Sequence, residues 1–282
     1  MNDIPSVLRV EPIDADRWAA PHPASDPEGR DVVFSGQLLA QMIMVSSAAA
    51  GAGKEVKSIH AVFARAGRYS AGPLTYHVDH MHAGRAWASD TVTAVQGDRL
   101  ISRGLVLLNA VEPDLVRHGP PMPDVAAPED CEPGPAGAVF PGCETRLVDG
   151  PDPGGPGGAP EIRVWVRGPG RYDSVAVNQA VVAWSEPGLI IGAALRPHAD
   201  VVDLREAHRT ISTGVIAHTT HFHDDLDAGD WLLFVHQGTY AGRGRVFGTG
   251  AVFARDGRLV ATFAQDSMAR RVEGELDAKS AL

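Results

Sequence analysis

Three histidines fall within six residues of HTTHFHD, at His218, His221 and His223, with Asp224 next. A second string, YHVDHMH, holds His77, His80 and His82. Imidazole and carboxylate groups spaced this closely serve as metal ligands, proton carriers or hydrogen-bonded structural groups. On a strand, His221 and His223 share one face, while His218 takes the other with Phe222. A metal needs three or four converging ligands with outer support. Neither string has that pattern, so both are read as hydrogen-bonded histidines and no metal is expected. No Gly-x-Ser-x-Gly occurs, so no nucleophile elbow is visible. Phosphate-loop and dinucleotide fingerprints are absent too. The two cysteines, Cys131 and Cys143, make neither a disulfide framework nor a zinc site.

The elements that must position these residues come in two similar sets. AGRAWAS begins at Ala83 and AGRGRVF at Ala241, and VQGDRLI at Val95 is echoed by FARDGRLV at Phe253. His60 and Phe63 fall on His218 and Phe222 at nearly the same offset. The spacing is far too long for a solenoid and points to one supersecondary unit used twice. Each unit starts with an apolar helix. The first is expected over residues 36–53, with Ser35 as N-cap and a Gly-Ala-Gly stop. The second is DSVAVNQAVVAWSEPG, with Asp173 as N-cap. A residue before proline is pushed out of the α region, so Glu186-Pro187-Gly188 should end this helix. β-rich runs follow each helix, and Asp256-Gly257 marks a hairpin between two of them. A buried helix followed by an antiparallel meander is an α+β pattern.

Residues 111–160 hold 12 of the 21 prolines. Such a stretch resists helix and central strand, and it reads as a linker. The expected division is a first unit at 1–112, a linker at 113–160 and a second unit at 161–282. The chain has 282 residues, 44% apolar, with a net charge of -10. No basic stripe is present, which argues against nucleic acid as the main partner. No apolar run reaches the roughly 18–20 residues of a membrane helix. The N-terminus lacks the apolar core of a signal peptide, so a cytoplasmic protein is expected.

Four strings in this order, VFSGQLLAQ, IHAVFARAG, HTTHFHDDLDAGDWLLF and DGRLVATFAQDSMAR, resemble the acyl-CoA thioesterase II (TesB-like) family. The resemblance runs from about Phe34 to Arg271 without the linker. It implies a double hotdog, with two antiparallel sheets each wrapping a central helix. It also implies cleavage of acyl-CoA by water to CoA and a carboxylic acid, without cofactor, by a homo-oligomer. The family sets a carboxylate, a Ser/Thr hydroxyl and a Gln around a water. The Gln falls on Gln265. The carboxylate position falls on Pro187 with Glu186 just before it, and the hydroxyl position on Val215. Glu186 and Thr213, the latter two residues from Val215 on the same strand face, are the substitutes. Gly36, Gln37, His60 and His218 are expected to shape the pocket, and Arg243 or Arg245 to meet CoA phosphates. The departures from the family pattern keep open a protein that binds acyl thioesters without cleaving them. A hotdog hydratase would need an Asp and His pair that the sequence does not display.

Overall fold

Strand alternation carries most of the chain. In a computed structural model, which describes residues 5–21, 31–134, 139–148, 158–203 and 210–271, every strand pairing is antiparallel. The first half contains β1 (Glu11–Pro12), β2 (Arg17–Ala20), helix α1 (Ser35–Ala50), β3 (Glu55–Phe63), β4 (Leu74–Ala83), β5 (Trp87–Gln96) and β6 (Arg99–Asn109). Next come β7 (Glu132–Pro133), β8 (Glu144–Leu147) and β9 (Glu161–Arg167). The second half continues with α2 (Val175–Ser185), α3 (Ile190–Leu195), β10 (Ile211–Phe222), β11 (Leu232–Gly242), β12 (Arg245–Ala254) and β13 (Leu259–Arg271).

The strands form one sheet in the order β1-β2-β4-β5-β6-β3-β10-β13-β12-β11-β9-β8-β7. The two expected sheets are therefore halves of a single sheet, joined where β3 meets β10. The order within β4-β5-β6-β3 is repeated in reverse by β10-β13-β12-β11, as an internal two-fold relation requires. The repeat seen in the sequence is this relation. Its Asp256-Gly257 turn closes the β12–β13 hairpin, with Gly257 at φ 92°, a conformation open to glycine at little cost.

Each half lays a helix on the sheet's inner face. In α1, every residue from Gly36 to Ser46 is buried, which accounts for a helix apolar nearly all round. Its first turn is capped without a side chain: the Phe34 carbonyl accepts from Gln37 N–H at 3.1 Å, and Ser35 lies inside the helix. Phe34 packs on Trp184 with ring centroids 6.2 Å apart, so packing sets the helix entry where a serine cap was expected. In α2, Ser174 is the cap, accepting from Val177 N–H at 3.4 Å, one residue after the expected Asp173. α3 was not anticipated.

The two helices meet at Gly36. A Cβ there would lie 2.2 Å from the Trp184 carbonyl oxygen. Only a residue without a side chain lets the start of α1 approach the end of α2 this closely.

The proline-rich stretch is attached to the second half. Met122, Val125 and Cys131 pack against Trp165, Trp231, Leu233 and Phe253. The Trp165 indole donates to the Ala126 carbonyl at 2.9 Å, Arg255 pairs with Glu129 at 2.9 Å, and Arg117 pairs with Asp224. Prolines remove ladder donors, so the segment runs mostly outside the sheet and binds through side chains and carbonyls. β8 nevertheless pairs with β9 near the sheet's end. Residues 135–138 and 149–157 of this stretch lie outside the described residues, as do residues 204–209 of the excursion before β10.

Candidate active site

Glu186, His218, Thr220, His236, Gln265 and Ser267 converge in the second half, each no more than 1% exposed. Glu186 follows the last turn of α2. His218 and Thr220 come from β10, His236 from β11, and Gln265 and Ser267 from β13. Period-two alternation puts His218 and Thr220 on one inner face, and Gln265 and Ser267 on another beside it. Register does the rest, because His218 stands opposite Gln265 and Val215 opposite Ser267.

The hydrogen bonds form a chain. His218 Nε2 lies 2.9 Å from Glu186 Oε2, and Thr220 Oγ1 donates to the same oxygen. His218 Nδ1 lies 3.0 Å from Gln265 Oε1. The Gln265 amide nitrogen donates to Ser267 Oγ at 2.9 Å and to the Pro187 carbonyl at 3.4 Å. Because that nitrogen is committed, the Gln265 oxygen faces His218, and Nδ1 carries a hydrogen. Nε2 and Glu186 Oε2 then share one hydrogen.

Glu186 Oε1 is buried and has no partner. Burial pushes the Glu186 carboxyl above its ordinary range, with the hydrogen bond and charge of His218 and the Thr220 hydroxyl opposing. Desolvation disfavours the ionised form, and here it outweighs the donors. The His236 imidazole, which donates to the Glu186 carbonyl at 3.1 Å, is pushed down to about 4, mainly by burial. Phe263 closes the cluster, stacked on the His218 ring at 5.7 Å.

Across the helix contact, α1 contributes Gly36 and Gln37. Gln37 is fully buried. Its carbonyl oxygen accepts from the Tyr69 hydroxyl at 3.3 Å, and its amide nitrogen has no partner. The Gln37 and Leu38 N–H groups are taken by the Phe34 carbonyl, and the helix start keeps its positive dipole end.

Several expected residues lie elsewhere. Glu186, the expected substitute at the family's carboxylate position, does lie in the cluster. It does so in an α conformation, at φ -69° and ψ -44°, although it precedes proline. Thr213 pairs with Ala269 on the far side of a bulge between Val215 and Ala217, five residues and roughly 17 Å of strand from His218. The hydroxyl on Glu186 is Thr220. His60 is exposed on the outer face, 2.6 Å from Thr219 Oγ1, because alternation turns Ile59 and Ala61 inward. Its match to His218 is thus off by one residue. Arg243 sits in the turn between β11 and β12 at φ 53°, away from the cluster. His223 bonds Thr262 and His80 bonds Asp90. Among the described residues no group of His, Cys, Asp or Glu could hold a metal. Two surface clefts, of about 340 and 390 Å³, are lined by residues such as Asp227, Trp231 and Arg255, and Glu144, Arg167 and Arg171. Neither touches the cluster.

Thr220, Ser267 and His236 went unrecognised in the sequence. Each stands two residues from an inward neighbour, as Thr220 from His218, Ser267 from Gln265 and His236 from Phe234, so strand period alone could have found them.

A profile described as "Acyl-CoA thioesterase N-terminal domain" matches residues 22–109, and one described as "Acyl-CoA thioesterase C-terminal domain" matches residues 117–269. The chain belongs to the acyl-CoA thioesterase family. A mouse (Mus musculus) relative, acyl-coenzyme A thioesterase 8, is 25% identical over 95% of this chain and 88% of its own. The crystal structure of acyl-CoA thioesterase II TesB2 from Mycobacterium marinum superposes with a TM-score of 0.79 at 23% identity, covering 96% of this chain and 100% of that one. A hot dog fold protein from Alicyclobacillus acidocaldarius superposes at 0.75 with 18% identity, covering 95% and 98%. The fold is the double hotdog of this family. No helix among the described residues is long and apolar enough to cross a membrane.

Proposed function

We propose that this chain hydrolyses acyl-CoA thioesters to free CoA and a carboxylic acid, with Glu186 as general base. The observation that carries the reading is the unpartnered Oε1 of a buried Glu186 whose other oxygen is held by His218 and Thr220. With the shared hydrogen on His218 Nε2, Glu186 is a carboxylate and Oε1 is free to take a proton. A water gives that proton to Oε1 while its oxygen bonds to the thioester carbonyl carbon. The oxyanion that forms balances the positive charge on His218. The unpartnered Gln37 side-chain amide and the positive end of the α1 dipole stabilise this oxyanion. Collapse breaks the carbon–sulfur bond, and the proton on Glu186 passes to the departing sulfur. Gln265 holds His218 and the Pro187 turn in place. The step uses no metal and no redox cofactor.

The test is release of free CoA from acyl-CoAs of rising chain length, read by a thiol reagent, with Glu186→Gln beside the parent. Turnover in the parent and its loss in the variant support the reading. Turnover unchanged in Glu186→Gln contradicts the assignment of the base.

A second reading, an acyl-thioester binder without turnover, is favoured by one observation: Val215 faces Ser267 and brings no hydroxyl. Binding by calorimetry without CoA release would establish it.

We also read the protein as a cytoplasmic homo-oligomer built from units at 1–112 and 161–282 with the 113–160 connection. Cys131 and Cys143 are thiols and not a disulfide, which suits a reducing compartment. The first half exposes Val62, Trp87, Leu105 and Leu107, an apolar set of the kind that marks interfaces. Light scattering tests the assembly.

A further inference from the structure

Glu186 holds a backbone conformation that its own sequence opposes. The ring of Pro187 crowds the preceding residue and drives it toward extended geometry, yet Glu186 is helical at φ -69° and ψ -44°. Its carbonyl lies past the last full turn of α2, where helix carbonyls have no acceptor role within the helix. That carbonyl accepts from His236 Nε2 at 3.1 Å. The next carbonyl, of Pro187, accepts from Gln265. Two sheet residues thus pin the two peptide units that carry the change of direction.

His236 suits such a clamp. It is fully buried and fixed between Phe234, stacked with ring centroids 6.1 Å apart, and Phe263, edge-on at 5.2 Å. Its Nε2 faces a carbonyl, which can only accept, so the ring's one hydrogen belongs there. The Ile162 carbonyl also lies by the ring but completes no hydrogen bond with Nδ1. We propose that His236 is a positioning residue: its Nε2–H holds the Glu186 main chain helical and thereby presents the Glu186 carboxyl to His218 and Thr220. This rests on the reading of Glu186 as the base. Without the clamp, the pre-proline preference turns the peptide after Glu186 toward extended ψ and shifts the carboxyl against its partners. The ionisable groups facing His236 are Glu186 on α2 and His218 on β10, while its neighbours on β11 and β13 are the uncharged Phe234 and Phe263. Burial and the charge of His218 keep it neutral down to about 4. A neutral donor leaves no second cation beneath the carboxylate to weaken it as a base.

Two variants test this. His236→Phe keeps a flat buried ring and loses the donor, while His236→Gln keeps an amide donor. His236→Phe is expected to lower kcat by about 100-fold, the size of loss that misplacement by an ångström brings, with KM little changed. His236→Gln should recover most of it. Carboxyl carbon NMR of Glu186 should show its titration displaced in His236→Phe and restored in His236→Gln. Nitrogen NMR of the unsubstituted protein should show the His236 hydrogen on Nε2. Equal kcat in the two variants, a loss confined to KM, a Glu186 titration that ignores the substitution, or a hydrogen on Nδ1 each overturn the proposal. If the parent cleaves no acyl-CoA, the hydrolase reading fails instead, and the two NMR measurements still decide the clamp.

Discussion

Glu186 Oε2 and His218 Nε2 stand 2.9 Å apart with both side chains fully buried, and they hold one hydrogen between them. With that hydrogen on oxygen the pair is neutral, and with it on nitrogen the pair is an ion pair of zero net charge. Either form avoids a lone buried charge, which would be costly. The second carboxyl oxygen of Glu186 remains open for chemistry.

Replacing Glu186 with Gln should stabilise the fold at neutral pH while removing turnover. The Glu186 carboxyl is raised in the folded protein by burial. The native state therefore binds more protons than the unfolded one between the ordinary carboxylate value and the raised one. Stability falls as pH rises through that window. Glu186→Gln lacks this loss, so its urea midpoint should exceed the parent's at pH 8 and the gap should close at pH 4. The loss of CoA release should be about 10²–10⁴-fold.

Gln265→Ala should damage both fold and rate. It removes the acceptor for His218 Nδ1 and the donor to Ser267 and Pro187. A buried donor left unsatisfied costs about 1–3 kcal/mol. Urea unfolding reads that cost, and CoA release reads the mispositioned His218.

Gly36→Ala tests the contact between the two helices. The added Cβ would meet the Trp184 backbone oxygen at 2.2 Å, and a backbone atom gives little way. Destabilisation of about 1–3 kcal/mol is expected from overpacking, with a fall in turnover because α1 retreats from α2.

Acid should act on stability through His236. Its folded value near 4, against an ordinary 6.5, means that the unfolded chain binds the extra proton first. Stability from this group is complete above about pH 6.5 and is lost as pH falls toward 4, by about 3 kcal/mol over the full window. The difference in unfolding free energy between parent and His236→Phe, followed over pH 4–8, should shrink toward acid by this amount.

The fold was largely legible because its signals are local. The apolar helix from Gly36 and the alternation of β5 around Asp90 and Val92 follow from period alone, and the repeated Ala-Gly-Arg strings mark equivalent hairpins. The site was legible in part. Gln265 and Glu186 were within reach, but the pre-proline rule gave the wrong backbone for Glu186. A tertiary hydrogen bond from His236 opposes that rule, and no local reading contains it. Thr213 was reached by stepping two residues from Val215, and Thr220 was not considered. The bulge between Val215 and Ala217 changes which residues face inward, and bulges leave little trace in sequence. His60 was set on the pocket by an offset one residue wrong, enough to turn a strand side chain to the opposite face. Prolines of the 113–134 stretch announce irregular backbone but not the surface it lies on, which here is the wall of Trp165 and Trp231.

The most direct test of the account is the rate of CoA release from acyl-CoA by the parent and by Glu186→Gln at pH 8, with both proteins shown folded by circular dichroism. The account predicts turnover by the parent and a loss of at least about 100-fold in the variant. Equal rates in the two proteins would contradict it.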